Sequence, residues 1–387
     1  MKKEIISVSD INNTESHVKP ATKPAVMYIE DYVRTEFATF EEKPFSDVDA
    51  LVFAQFAYTR LNDKDYSFTP SAAPVLIKDT YRAENFDFMY NNIPKYEKNI
   101  QLVTALAASP RFRNIRILDY KDIYDNNLIL QFSAMTFEMN DGFLVAFRGT
   151  DSTFTGWKED FCMTFMDSVP AQDEACRYLQ SVAENFDGSI RICGHSKGGN
   201  LSMYAALNCD KQTRDRIISV HDLDGPGFKD PEKYVNEYSE IADKVVKIMP
   251  ESSIVGLLLD GADEDIKIVE SSGIGIMQHL SFTWKIKNGE FVEGKKISDI
   301  AKNIDKTISV WLKGISHEDR EAFIDNLFKV LISSGVRTFA ELSSVGPKQL
   351  AAMYEAAKDL PEDVKKNATK IIKSLFETSI KTLRSEN

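Results

Sequence analysis

The residues best suited to chemistry are Gly194-His195-Ser196-Lys197-Gly198-Gly199. They fit Gly-x-Ser-x-Gly, with the strand-like run Ser189 to Cys193 before them and the helix-like run Asn200 to Leu207 after them. In that setting the serine occupies a strained turn between strand and helix. The flanking glycines have no Cβ, so the two elements can close around it. Its hydroxyl then stands at a helix N-terminus, which favours an alkoxide and a tetrahedral oxyanion. The chemistry expected is nucleophilic attack by Ser196 on an acyl carbonyl. An ordinary strand–helix turn, or a site of this shape without activity, is the competing reading.

The surrounding elements must hold that turn. Ile115 to Leu118 and Leu128 to Ala134 read as strands. Asn140-Asp141-Gly142 is a hairpin signal. Phe143 to Phe147 is a continuous apolar run, as in a strand buried on both faces. Further strands are expected at Arg216 to Leu223, Lys244 to Met249 and Lys267 to Val269. Helices are expected at Ser46 to Leu61, Gln101 to Ala108, Asp173 to Phe186 and Asp230 to Ala242. Ile254 to Leu259 is a strand-sized apolar run. This alternation predicts an α/β fold of α/β-hydrolase type, a mostly parallel sheet with helices on both faces. From about Ile297 the pattern is helical only: Ile300 to Trp311, Glu318 to Ser333, Thr338 to Ser343, Pro347 to Lys358 and Pro361 to Leu383. The expected organisation is a flexible tail over 1–26, an α/β-hydrolase domain over 27–296 and a helical C-terminal appendage over 297–387. In such a fold one oxyanion donor is the amide after the nucleophile, here Lys197. The other comes from the loop after an earlier strand. Thr150, in Phe147-Arg148-Gly149-Thr150-Asp151, holds that place in chain order.

Phe147 to Asp151, Trp157 and Asp160 downstream, and then GHSKGG together resemble the class 3 lipase pattern. More closely, the chain resembles the DUF2974 family of bacterial α/β-hydrolase-like proteins. The motifs are FSDVDALVFAQFAY at Phe45 to Tyr58, WKEDF at Trp157 to Phe161, VPAQ at Val169 to Gln172, GHSKGGNL, DGPGF at Asp224 to Phe228, SSIVGLLL at Ser252 to Leu259 and MQHLSFTW at Met277 to Trp284. The resemblance runs from about residue 27 to about 345 and implies the fold and a serine-hydrolase-like site, without a substrate.

Five histidines allow the base to be sought by elimination, given the chain order serine, acid, histidine. His17 precedes the serine. His195 is in the turn, where its ring is expected to point away from the hydroxyl. His221 comes too early, and His317 opens a helix of the appendage. His279 follows a glycine-containing loop and is the expected base. For the acid, Asp224 begins the sharp turn Asp-Gly-Pro-Gly at the end of a strand. Class 3 lipases place an aspartate after the next strand, where this chain has Pro250-Glu251-Ser252-Ser253. Asp224 is therefore preferred and Glu251 is the alternative, with Asp260 or Asp263 behind them.

Lys plus Arg is 47 and Asp plus Glu is 59, a net charge of −12 that disfavours phosphate-led nucleic-acid binding. The four cysteines match neither a zinc site nor a disulfide framework, so free thiols are expected. No signal peptide or membrane-length apolar stretch is read, and a cytoplasmic location is expected. No metal or organic cofactor is required. The expected partner is a small acyl ester or lipid, bound where Ile254 to Leu259, Ile274, Ile276, Met277, Leu280 and Phe282 make the neighbourhood apolar. The appendage, with Phe323, Leu327, Leu331, Phe339 and Leu342, offers a surface for a protein or peripheral-membrane partner. The expected function is a serine esterase or lipase-like hydrolase. The alternatives are a catalytically silent interaction protein and a thioesterase or peptidase using the same site.

Overall fold

The computed structural model describes residues 26–61, 64–68, 72–259, 266–273, 275–333, 335, 337–338, 347–358, 360, 362 and 365–366. The tail expected over 1–26 lies outside them except for Val26. So do Asp260, Asp263, Ile274, residues 339–346 and nearly all of the last expected helix.

Eight strands form one sheet in chain order: β1 (Val75–Leu76), β2 (Arg116–Asp125), β3 (Leu130–Met139), β4 (Gly142–Phe147), β5 (Ser189–His195), β6 (Ile217–Leu223), β7 (Val245–Pro250) and β8 (Lys267–Val269). β1 to β4 pair antiparallel, and the Asn140-Asp141-Gly142 turn makes the β3–β4 hairpin. From β4 to β8 every pairing is parallel, so each connection must cross over a face of the sheet. A small hairpin, β9 (Ile286–Lys287) and β10 (Glu290–Phe291), lies apart.

The helices in chain order are α1 (Ile29–Thr35), α2 (Asp47–Phe56), α3 (Phe86–Met89), α4 (Tyr96–Ala108), α5 (Phe154–Cys162), α6 (Pro170–Asn185), α7 (Lys197–Asn208), α8 (Lys211–Arg216) and α9 (Val235–Ile241). α10 (Asp299–Lys313), α11 (His317–Ser333) and α12 (Pro347–Lys358) follow. β4 shows why both faces need cover. Phe143, Val145 and Phe147 pack with Leu179, Val182 and Leu201 of α6 and α7. Leu144 and Ala146 pack with the cluster built from α1, α2 and α4. This is the α/β-hydrolase arrangement, with its core split into two layers by the sheet.

The strand-sized apolar run Ile254 to Leu259 holds a 3-10 turn over Val255–Leu257. The reason is local: the Gly256 N–H donates to the Asp224 carboxylate at 3.1 Å, and a Cβ on Gly256 would stand 2.3 Å from that oxygen. The helix expected from Asp230 begins as a 3-10 turn, Pro231–Tyr234, and turns α-helical only at Val235. Thr338, expected to open a helix, instead makes an antiparallel bridge with Thr153.

Two of the C-terminal helices pack on the sheet and its helices: α10 sets Ala301 against Met249 of β7, and α11 sits on α5. Phe328 is buried between Phe154 and Phe161 of α5, each at 6.1 Å between ring centroids. Lys158 of α5 pairs with Asp325 at 2.7 Å.

Candidate active site

Ser196 stands between β5 and α7 with φ 61° and ψ −132°, a conformation a side-chain-bearing residue adopts only under constraint. Its N–H donates to Leu223 O at 3.0 Å, and its carbonyl accepts from Gly199 N at 2.8 Å. The close passage of strand and helix requires Gly194, because a Cβ there would lie 2.0 Å from Gly198 O. Among the described residues Ser196 Oγ makes no hydrogen bond.

Against His195, the residue before the serine, lies His279, at the end of the 3-10 turn Gly275–His279. Its Nδ1 meets Asp224 Oδ2 at 2.7 Å. Asp224 is fully buried at the end of β6, itself at φ 60°, with its N–H donating to Ile248 O at 2.8 Å. The other carboxylate oxygen accepts from the Ser253 hydroxyl and the Gly256 N–H. Such a fully hydrogen-bonded carboxylate can orient an imidazole and stabilise its charged form. His279 lies flat on His195, the residue before the serine, with ring centroids 4.6 Å apart and planes 29° apart. So the His195 ring is directed at His279.

The other candidates sit elsewhere. Glu251 accepts from Lys295 N at 2.8 Å and makes no contact with a histidine among the described residues. His221 is in β6, and its Nε2 meets Asp47 at 3.1 Å. His317 packs edge-on against Phe165.

The two expected oxyanion donors are Lys197, next after the serine, and Thr150, after Gly149, whose ideal Cβ would stand 3.1 Å from Ser196 Cβ. Lys197 is the first residue of α7, where a backbone N–H has no intrahelical acceptor. Its side chain is buried and points away from solvent, its Nζ donating to Glu159 at 2.9 Å, Gln131 O at 2.7 Å and Gln131 Oε1 at 3.1 Å. Glu159, also buried, accepts in addition from Gln131 N and Ala171 N. The Thr150 hydroxyl donates to Asp160 Oδ2 at 2.6 Å. Asp160 Oδ1 is shut off from solvent and has no hydrogen-bond partner among the described residues. Burial pushes the Asp160 carboxyl up to about 7, with Glu159 and Asp151 adding to the rise against Lys197 and Thr150.

The motifs that occur together in sequence also meet in space. Asn200 of GHSKGGN donates to the carbonyls of Pro226 and Gly227 in DGPGF, and accepts from Gln172 of VPAQ at 2.8 Å. Sequence reasoning missed the roles of Glu159, Asp160, Gln131 and Ser253. WKEDF was the available signal for the first two, since a Glu-Asp pair between aromatics belongs either on the surface or with buried partners. A cavity of about 740 Å³ opens at β8 beside the start of α2, and its lining includes none of Ser196, Asp224 and His279. All four cysteines are free thiols, and Cys176 is only half-buried. No described helix is long and apolar enough to cross a membrane.

Comparison with curated protein sequences gives no match. Among solved structures, the crystal structure of M37 lipase is similar at 15% identity, over 55% of this chain and 70% of that one, with a TM-score of 0.34. Residues 106–329 match the family model described as Mbeg1-like, a family of DUF2974 type. That stretch contains β2 to β8, the serine turn, Asp224, His279 and nearly all of α11. With more than half of its residues matched, the chain belongs to the Mbeg1-like family.

Proposed function

We propose that the protein is a serine hydrolase that cleaves a carboxylic ester, of lipid or other acyl type, through an acyl-enzyme on Ser196. The observation that carries this reading is the 2.7 Å pairing of His279 with buried Asp224, the His279 ring stacked on His195 next to a serine held at positive φ. In this mechanism Ser196 Oγ attacks the acyl carbonyl and His279 Nε2 takes its proton. Asp224 holds the Nδ1–H tautomer and balances the imidazolium. The amides of Lys197 and Thr150 receive the oxyanion, each supplying about 10²–10³ in rate. His279 then returns the proton to the leaving alcohol, and water activated by the same ring releases the acid.

A panel of p-nitrophenyl esters of increasing acyl length tests this with the full chain. Wild type is expected to hydrolyse at least one ester, and Ser196→Ala to reduce the rate to that of buffer. Equal rates from the two proteins would sink the reading. A second reading, a silent hydrolase fold acting as an interaction module, draws on the absence of a hydrogen bond from Ser196 Oγ among the described residues. Such bonds often form only with substrate in place, so the geometry favours the enzyme. A thioesterase or peptidase using the same residues would be separated by thioester and amide substrates in the same assay.

A further inference from the structure

His195 is the buried ionisable group beside the serine that the proposed mechanism leaves unused. It is 4% exposed. Its Nε2 meets the backbone carbonyl of His279 at 2.7 Å, and its ring carries the His279 ring at 4.6 Å. Trp284 closes the far side edge-on at 6.1 Å, and its own Nε1–H holds Gln278 O at 3.0 Å. Gln278 in turn accepts from Ser252 N at 2.8 Å. The turn that bears His279 is thus tied down at two successive carbonyls, those of Gln278 and His279.

A carbonyl can only accept, so His195 Nε2 must carry the proton. The remaining nitrogen, Nδ1, is buried and has no hydrogen-bond partner among the described residues. Protonating it would place a second cation against His279 in a site closed to water. Burial, with His279 adding to it, accordingly pushes His195 down to about 3, although the Asp224 charge pulls the other way. The group is an uncharged flat donor throughout the neutral range, and it stays so when the neighbouring ring takes a proton.

We infer that His195 is a positioning residue for His279, flooring its ring and anchoring its carbonyl so that Nε2 faces Ser196. This rests on the proposed role of His279 as base, and it adds the element that fixes the ring. Among the described residues the His279 ring has one side-chain bond, to Asp224, and a single bond leaves rotation about that contact free. The stack removes that freedom. Misplacing a reacting group by about 1 Å can cost about a hundredfold in rate.

The test compares wild type, His195→Phe and His195→Gln in the full chain with two readouts. One is the downfield proton resonance of His279 Nδ1–H, which reports the Asp224 bond and needs no turnover. The other is the rate of labelling by a fluorophosphonate. His195→Phe keeps a flat ring and loses the carbonyl anchor, and is expected to broaden that proton by exchange and to slow labelling about tenfold or more. His195→Gln keeps a donor and is expected to recover part of both. If the proton stays sharp and labelling unchanged in both variants, His195 does not position the base. If no protein is labelled while the proton responds as described, the positioning stands and the hydrolase reading falls.

Discussion

Two carboxylates near the serine turn, buried Asp224 and half-buried Asp160, are treated in opposite ways. Asp224, the partner of His279, has a donor for each oxygen: His279 on one, Ser253 and Gly256 on the other. Asp160, which bonds the side chain of the proposed oxyanion donor Thr150, has that hydroxyl on one oxygen and, among the described residues, no partner on the other. Burying a charge is tolerable only when it is paired or hydrogen-bonded. The first arrangement suits a carboxylate that must stay ionised beside an imidazolium. The second suits an acid that still holds part of its proton near neutral pH, its carboxyl being pushed up to about 7 by burial. One fold can therefore hold two aspartates near one serine turn and give them different chemistry through burial and hydrogen bonds together.

Replacing Asp224 by Asn should give the largest change. The ring tautomer is then no longer specified, and kcat should fall about 10⁴-fold with the fold intact, measured on the best ester of the panel. A loss below about tenfold would mean that the acid lies elsewhere. Lys197→Met leaves Glu159 buried without its cation. It should cost about 3–5 kcal/mol in denaturant unfolding, with the double variant Lys197→Met, Glu159→Leu recovering much of it.

Asp160 gives a pH signature. Its usual value is 3.8 and its value in the folded chain is about 7, so the folded state holds the proton more tightly. The stability it contributes is full below about pH 4 and is lost as pH rises through about 7. Oxyanion stabilisation should weaken over the same rise. Asp160→Asn should flatten this fall between about pH 4 and about 7 in both unfolding midpoint and kcat, and an unchanged profile would remove the contrast with Asp224. The smallest effect is expected from Glu251→Gln, within about twofold in kcat/KM, because Glu251 bonds Lys295 and not a histidine.

Much of the histidine side was legible in sequence, since five histidines and a chain order leave few choices. The turn at Ser196 was legible because its glycines answer to local sterics. The contact between Asp224 and His279 followed from Asp-Gly-Pro-Gly ending a strand. The apolar run Ile254 to Leu259 gave no sign of the Gly256 N–H that the Asp224 carboxylate accepts. The oxyanion side was hardly legible. Lys197 reads as a surface lysine until Glu159, 38 residues earlier, arrives beside it. Likewise, only the docking of α5 reveals that Asp160 meets Thr150. Such pairs exist only once the sheet and α5 have packed, and no periodicity announces them.

The most direct test of the central claim is intact-mass and peptide mapping after exposure to a fluorophosphonate. The account predicts a single adduct on Ser196 in wild type, sharply slowed in Asp224→Asn and absent from Ser196→Ala. An unmodified wild-type chain, or an adduct on any other residue, would contradict it.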